Sequence, residues 1–123
     1  MNHKFPKTEK LKRKKLIELL FSEGESVKAF PLILVYKSVD LPEKVGVQAG
    51  FSVPKRNHKL AVTRNRIKRL MREVYRKNKQ GFKIGEHTFA FMFLYVGKNV
   101  LPYGEMERLM IKAVKRFNEK MEE

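Results

Sequence analysis

The chain contains no cysteine. That excludes a disulfide framework, a thiolate metal site and a cysteine nucleophile, and the sequence makes no use of an oxidising compartment. A cytoplasmic address fits. Aspartate is nearly missing as well, since Asp40 is the sole one. Metal-dependent nucleases and polymerases gather several carboxylates at one site. With no such cluster, a two-metal centre carried by the protein is not expected, and no residue is assigned as a metal ligand. No apolar run approaches the roughly 18–20 residues that cross a membrane, so no membrane partner is expected. Residues 1–7 are charged but lead into no apolar segment, unlike a secretory signal, and are expected to be flexible. There is no internal repeat and no Gly/Ser- or Pro-rich linker. Residues 1–123 read as a single domain.

What the chain has in excess is positive charge. Its 123 residues carry 28 Lys and Arg against 13 Asp and Glu, a formal +15 with a sequence pI near 10.2. Hydrophobic residues make up 42%, enough for a packed core, so this is not a disordered basic tail. A compact domain this basic repels itself until an anion neutralises it, and nucleic acid is the commonest such partner.

Hydrophobic spacing places the elements. Leu16, Ile17, Leu20 and Phe21 form a short helical stripe after the basic stretch 10–15, with Thr8 as a candidate cap and Gly24 as the stop. Residues 30–39 read as a strand with Leu32, Leu34 and Tyr36 on one side and Ile33, Val35 and Lys37 on the other. Residues 45–53 read as a second strand. A long helical pattern follows to about residue 78, with Ile67, Leu70, Met71 and Val74 on one face. In 87–96, Phe89, Phe91, Phe93 and Tyr95 alternate with Ala90, Met92, Leu94 and Val96. Both sides are apolar, which predicts a central strand. The last helix carries Met106, Leu109, Met110, Ala113, Val114 and Phe117 inward. The order predicts a small sheet with helices packed on it, with the strand pairing left open.

The basic helix is the chemical signal. Residues 55–79 hold eleven Lys and Arg and a single acid, Glu73, a net +10. At about 100° per residue, Arg64, Lys68, Arg69, Arg72, Arg76 and Lys79 share one arc with Asn65, opposite the apolar set. Arg66 and Glu73 lie on the shoulder. A face built only for solubility interleaves both signs, whereas six like charges repel with no return unless an anion arrives. Arginine's planar fork suits phosphate.

Other features are weaker. His3, His58 and His87 have no metal-ligand spacing, and His58 amid cations reads as solvent-facing or phosphate-adjacent. No serine has a nucleophile setting. The aromatic strand 89–93 admits a rival reading as the base-stacking strand of an RNA-recognition motif, though core packing explains it as well. A ribosomal protein would share size and charge. A DNA-binding regulator would need a helix-turn-helix partner or dimer seam that is not evident.

Ala61-Val62-Thr63-Arg64-Asn65-Arg66-Ile67-Lys68-Arg69-Leu70-Met71-Arg72-Glu73 closely resembles the signature of the protein subunit of bacterial ribonuclease P. The resemblance extends upstream through residues 50–56 and back to 16–24, and covers about residues 8–117. It implies an α+β fold like the second domain of ribosomal protein S5: a small four-stranded sheet packed with about three helices, the basic helix lying in a strand-helix-strand crossover of unusual left hand. It also implies a division of labour. A large RNA subunit carries the catalytic centre and its Mg²⁺, while the protein binds that RNA and the 5′ leader of precursor tRNA. The protein itself supplies no catalytic residue and is expected to be monomeric without RNA. By the same resemblance Arg64, Asn65, Arg66, Lys68, Arg69, Arg72 and Arg76 contact RNA. Ile17, Phe21, Tyr36, Ser52, Lys55 and Arg56 line the leader cleft, with core packing as the alternative for Phe21 and Tyr36. Two departures stand out. Ile17 replaces a common aromatic, and the segment 56–60 is one residue longer than usual and lacks its glycine.

Overall fold

The computed structural model describes residues 5–42 and 44–122. A 3-10 turn (Lys7–Glu9) precedes helix α1 (Lys14–Glu23), strands β1 (Glu25–Ala29), β2 (Leu32–Ser38) and β3 (Val47–Ser52), and helix α2 (Ala61–Asn78). A second 3-10 turn (Lys79–Gly81) leads to strand β4 (Phe89–Tyr95) and helix α3 (Tyr103–Met121). The four strands form one sheet in the order β1-β2-β4-β3. β1 with β2 and β2 with β4 are antiparallel, whereas β3 and β4 run parallel with Ala49 opposite Phe91. Parallel neighbours need a crossover, and α2 provides it. The domain is α+β, with the basic helix in the expected strand-helix-strand unit.

The two apolar faces of β4 make it the centre of two cores. Phe89, Phe91, Phe93 and Tyr95 face α2 and α3 in the larger one, where Phe91 and Phe93 are fully buried with Ile67, Met71, Met106 and Phe117. Ala90 and Met92 face Leu11 and Leu20 in the smaller one, with Ile17, Val35 and Leu94 packed around them. The rings of β4 are thus sealed under helices, which removes the base-stacking strand of an RNA-recognition motif.

Three local expectations change. Thr8 does not cap α1, because the chain from Lys10 first bridges the β3 edge, with the Leu11 N–H donating to the Ala49 carbonyl at 3.0 Å. Only then does it turn helical at Lys14. The detour also covers an otherwise open strand edge. Residues 5–7 depart from the expected flexible start, since the Phe5 ring meets Phe51 and Tyr75 edge-on at 5.9 and 5.8 Å. Residues 1–4 of that expectation lie outside the described residues. β1 has no strong signal of its own: only Val27 and Ala29 turn inward, and pairing with β2 makes it a strand. Gly24 does end α1, donating its N–H to the Leu20 carbonyl at 2.8 Å. It acts through size rather than backbone freedom, because a Cβ there would collide with that carbonyl and with the Val35 side chain.

Candidate nucleic-acid interface

Helix α2 docks by Ile67, Met71, Val74 and Tyr75, all buried. Tyr75 lies inside the arc read as cationic and packs on Phe93 and Phe82, so the buried sector is wider than the apolar stripe predicts. Burial pushes its phenol well above the ordinary tyrosine range. By their partners the cations fall into two groups.

One group is occupied within the fold. Arg64 donates to the backbone carbonyls of His58 and Lys59 at 2.9 and 2.8 Å, tying the start of α2 to the loop before it. Arg76 grips Glu73 with two hydrogen bonds of 3.2 and 2.5 Å. That pairing holds the Glu73 carboxyl below its usual range. Lys79 pairs with Glu9 at 2.9 Å, pinning the N-terminal turn to the end of α2. The other group is Arg66, Lys68, Arg69 and Arg72, which make no ion pair among the described residues. Arg66, Arg69 and Arg72 are exposed, as is Asn65 beside them, and Lys68 is half-buried. The Arg72 guanidinium lies 5.9 Å from the Phe51 ring centroid.

The loop between β3 and α2 is held by side chains rather than by a glycine turn. Asn57 Nδ2 donates to the Val96 carbonyl at 2.9 Å, and His58 Nε2 bonds the Gly97 carbonyl at 2.8 Å. The His58 ring also stacks on Tyr95 at 6.4 Å. His58 is therefore buried rather than solvent-facing, because this loop folds back onto the end of β4. The neighbouring Lys55, Arg56 and Lys59 stay exposed.

Of the residues expected in the leader cleft, Ile17 packs on the α1 side of the sheet. Phe21, one turn further along α1, is 55% exposed. Ser52 pairs in register with Leu94, another residue of that side. Tyr36 is different. It is buried on the opposite face, edge-on to Phe89 and Phe117. The strict alternation of β2 sends Leu32, Leu34 and Tyr36 to α3 and Val35 to α1, so Tyr36 belongs to the core.

A further cationic feature is tertiary. Lys10 and Lys12 meet Lys68 and Arg72 in one groove of about 270 Å³, floored by Phe51 and Gly50 and closed by Phe5. The basic stretch 10–15 is visible in the sequence, but its position beside α2 follows from the bridge to β3. Among the described residues no three His, Asp or Glu side chains gather as metal ligands. No helix among them is long and apolar enough to cross a membrane.

Fold and surface together define a small, strongly cationic α+β domain whose basic crossover helix presents exposed arginines. The Ribonuclease P family model matches residues 5–118. The ribonuclease P protein component of Porphyromonas gingivalis is 32% identical over 115 residues, spanning 90% of this chain and 84% of that one. That of Chlorobaculum tepidum is 37% identical over 101 residues, spanning 73% and 66%. That of Chlorobium phaeobacteroides is 46% identical over 77 residues, spanning 60% and 53%. The chain thus covers less than two thirds of the length of the last two. In fold it matches the RNase P protein from Thermotoga maritima, with a TM-score of 0.71, 21% identity and coverage of 88% and 96%. The Staphylococcus aureus RNase P protein gives 0.69 at 18% identity, with 87% and 93% covered. The chain belongs to the ribonuclease P protein family.

Proposed function

We propose that this chain is the protein subunit of a bacterial-type ribonuclease P, a ribonucleoprotein endoribonuclease. It binds the catalytic RNA and the 5′ leader of precursor tRNA and so promotes 5′ maturation of tRNA in the cytoplasm. The observation that carries this reading is the unpaired set Arg66, Lys68, Arg69 and Arg72 on the helix that bears the family signature. Unpaired cations on a face that is not buried are stabilised by an anionic partner, and phosphate is the ligand arginine fits best.

The protein's part is electrostatic and positional. RNA subunit and precursor tRNA are both polyanions, and a +15 domain between them offsets their repulsion. Arg66, Lys68, Arg69 and Arg72, with Asn65, contact RNA directly. Arg64 and Arg76 shape that surface through the bonds they make within the fold. Ile17 and Phe21 form one wall of the leader cleft, with Ser52, Lys55 and Arg56 across the sheet. Phe21 offers an exposed ring for an unpaired base, and the cations follow the backbone. Mg²⁺ held mainly by the RNA would supply the activated water for phosphodiester cleavage, and this chain's part would be to hold the RNA and the substrate together. No residue of this chain is assigned as general acid, base or nucleophile, and without RNA the chain is a monomer.

The test is 5′ leader cleavage of a precursor tRNA by the cognate RNA subunit at low Mg²⁺, with and without the protein. Stimulation by the protein, with no cleavage by the protein alone, is the expected outcome. A folded sample that gives no stimulation refutes the assignment.

A further inference from the structure

On the flank of α2 away from the Lys10–Lys68 groove lies a cavity of about 340 Å³ between the helix and the loop leading to α3. Its wall is apolar, formed by Leu70 with Val100, Leu101 and Pro102, and its rim carries Arg66 and Arg69. The volume falls in the range of small-ligand sites. The wall is preformed. The loop is anchored at its start by the His58 bond to Gly97 and by the Tyr95 hydroxyl donating to the Asn99 carbonyl. At its end Lys77 Nζ sits 5.2 Å from the Tyr103 ring centroid. Val100 is nonetheless 41% exposed.

Glu73, the single acid of the basic helix, also lines this cavity. An isolated carboxylate beside two arginines would normally neutralise them. Here Arg76 holds it with two hydrogen bonds, which keeps it ionised, and Arg66 and Arg69 make no ion pair among the described residues. Apolar wall, cationic rim and fixed acceptor match the three parts of a nucleotide: a flat base face, a phosphate, and an exocyclic amino group, which carboxylates accept from.

We propose that this cavity binds one unstacked, amino-bearing nucleotide of an RNA chain, its base against Val100 and Leu101, its phosphate on Arg66 and Arg69, and its amino group on Glu73. The site is separate from the leader cleft on the α1 side of the sheet. The choice of RNA as the source rests on the function proposed above. An acidic peptide would fit the arginines but offers no flat base for the wall of Val100 and Leu101.

The test uses the full chain and follows the methyl resonances of Leu70, Val100 and Leu101 by NMR during titration with 5′-AMP, 5′-UMP, ribose 5-phosphate and a single-stranded adenosine pentamer. AMP should shift these methyls at millimolar concentration, and the pentamer should do so about tenfold more tightly because further phosphates join the contact. UMP, which lacks the amino group, should bind several-fold more weakly, and E73Q should narrow that difference. V100D, at an exposed loop position, should abolish the shifts with the melting temperature unchanged. Ribose 5-phosphate binding as tightly as AMP would reduce the site to a bare cation pair and overturn the proposal. So would a glutamate hexapeptide displacing AMP. AMP binding as tightly as the pentamer would overturn RNA as the source. A protein that stimulates leader cleavage but binds no AMP loses only this site. One that binds AMP but gives no stimulation loses only the function proposed above.

Discussion

Arg64 and Arg69 belong to the same basic signature, and the structure predicts opposite consequences for losing them. Arg64 makes two charge-assisted bonds to backbone carbonyls of the loop that starts α2. Such bonds contribute about 1.5–3 kcal/mol each when buried. Half-exposure of this side chain reduces the total for Arg64→Ala to about 1–2 kcal/mol. In a domain of this size that lowers the melting temperature by about 3–8 °C. Arg69 is exposed and has no partner among the described residues, so Arg69→Ala should stay within about 0.5 kcal/mol of the parent. RNA binding reverses the order. Losing Arg69 should lower the slope of log affinity against log salt by about 0.7–0.9, the value of one phosphate contact. Losing Arg64 should leave the slope nearly unchanged at temperatures where the variant is folded. Calorimetry and RNA titrations across a salt series measure both. If Arg64→Ala flattened the salt slope as much as Arg69→Ala while keeping the parent's melting temperature, the division between occupied and free cations would be wrong.

Other expectations follow from the packing. His58→Leu removes the donor to Gly97 and should cost about 1–3 kcal/mol in urea unfolding, whereas His58→Gln, which keeps an amide N–H, should recover a substantial part. Equal losses would mean the hydrogen bond contributes nothing. Phe91→Ala should cost about 3–5 kcal/mol through a cavity in the larger core and leave the RNA affinity of the folded fraction intact. A selective loss of affinity would restore the RNA-recognition-motif reading. Tyr75 ionises only above the pH at which an exposed phenol does. The unfolded chain therefore releases that proton first, and stability should fall as pH rises above about 10. Tyr75→Phe should flatten this alkaline limb in a pH series of thermal melts, and an unchanged limb would refute the burial argument.

Much of the fold was legible because the elements repeat at their own periods. α2 was read to within a residue or two, and β4 was correctly placed inside the sheet because it is apolar on both sides. β1 escaped notice: five residues with two inward side chains carry too little pattern, and only the partner strand β2 supplies the missing hydrogen bonds. Thr8 failed as a cap for a related reason. A local cap competes with a long-range bridge, and the bridge of Lys10 to Ala49 prevailed. The candidate interface divides in the same way. Residue types and the family signature located the basic helix, and alternation along β2 already contained the fact that Tyr36 and Val35 face opposite sides. Which of those sides faces α1 could not be read from β2.

Charge, the absence of cysteine, the helical and strand periods and the signature from Ala61 to Glu73 were determined by sequence alone, because each depends on residue identity at short spacing. The tertiary structure decided which cations are free. Whether an arginine meets a carbonyl, a carboxylate or water depends on neighbours as far away as Glu9 is from Lys79 along the chain, and no local pattern carries that information. It also placed the Val100 loop against the flank of α2, where chain segments with unremarkable sequences become the wall of a cavity.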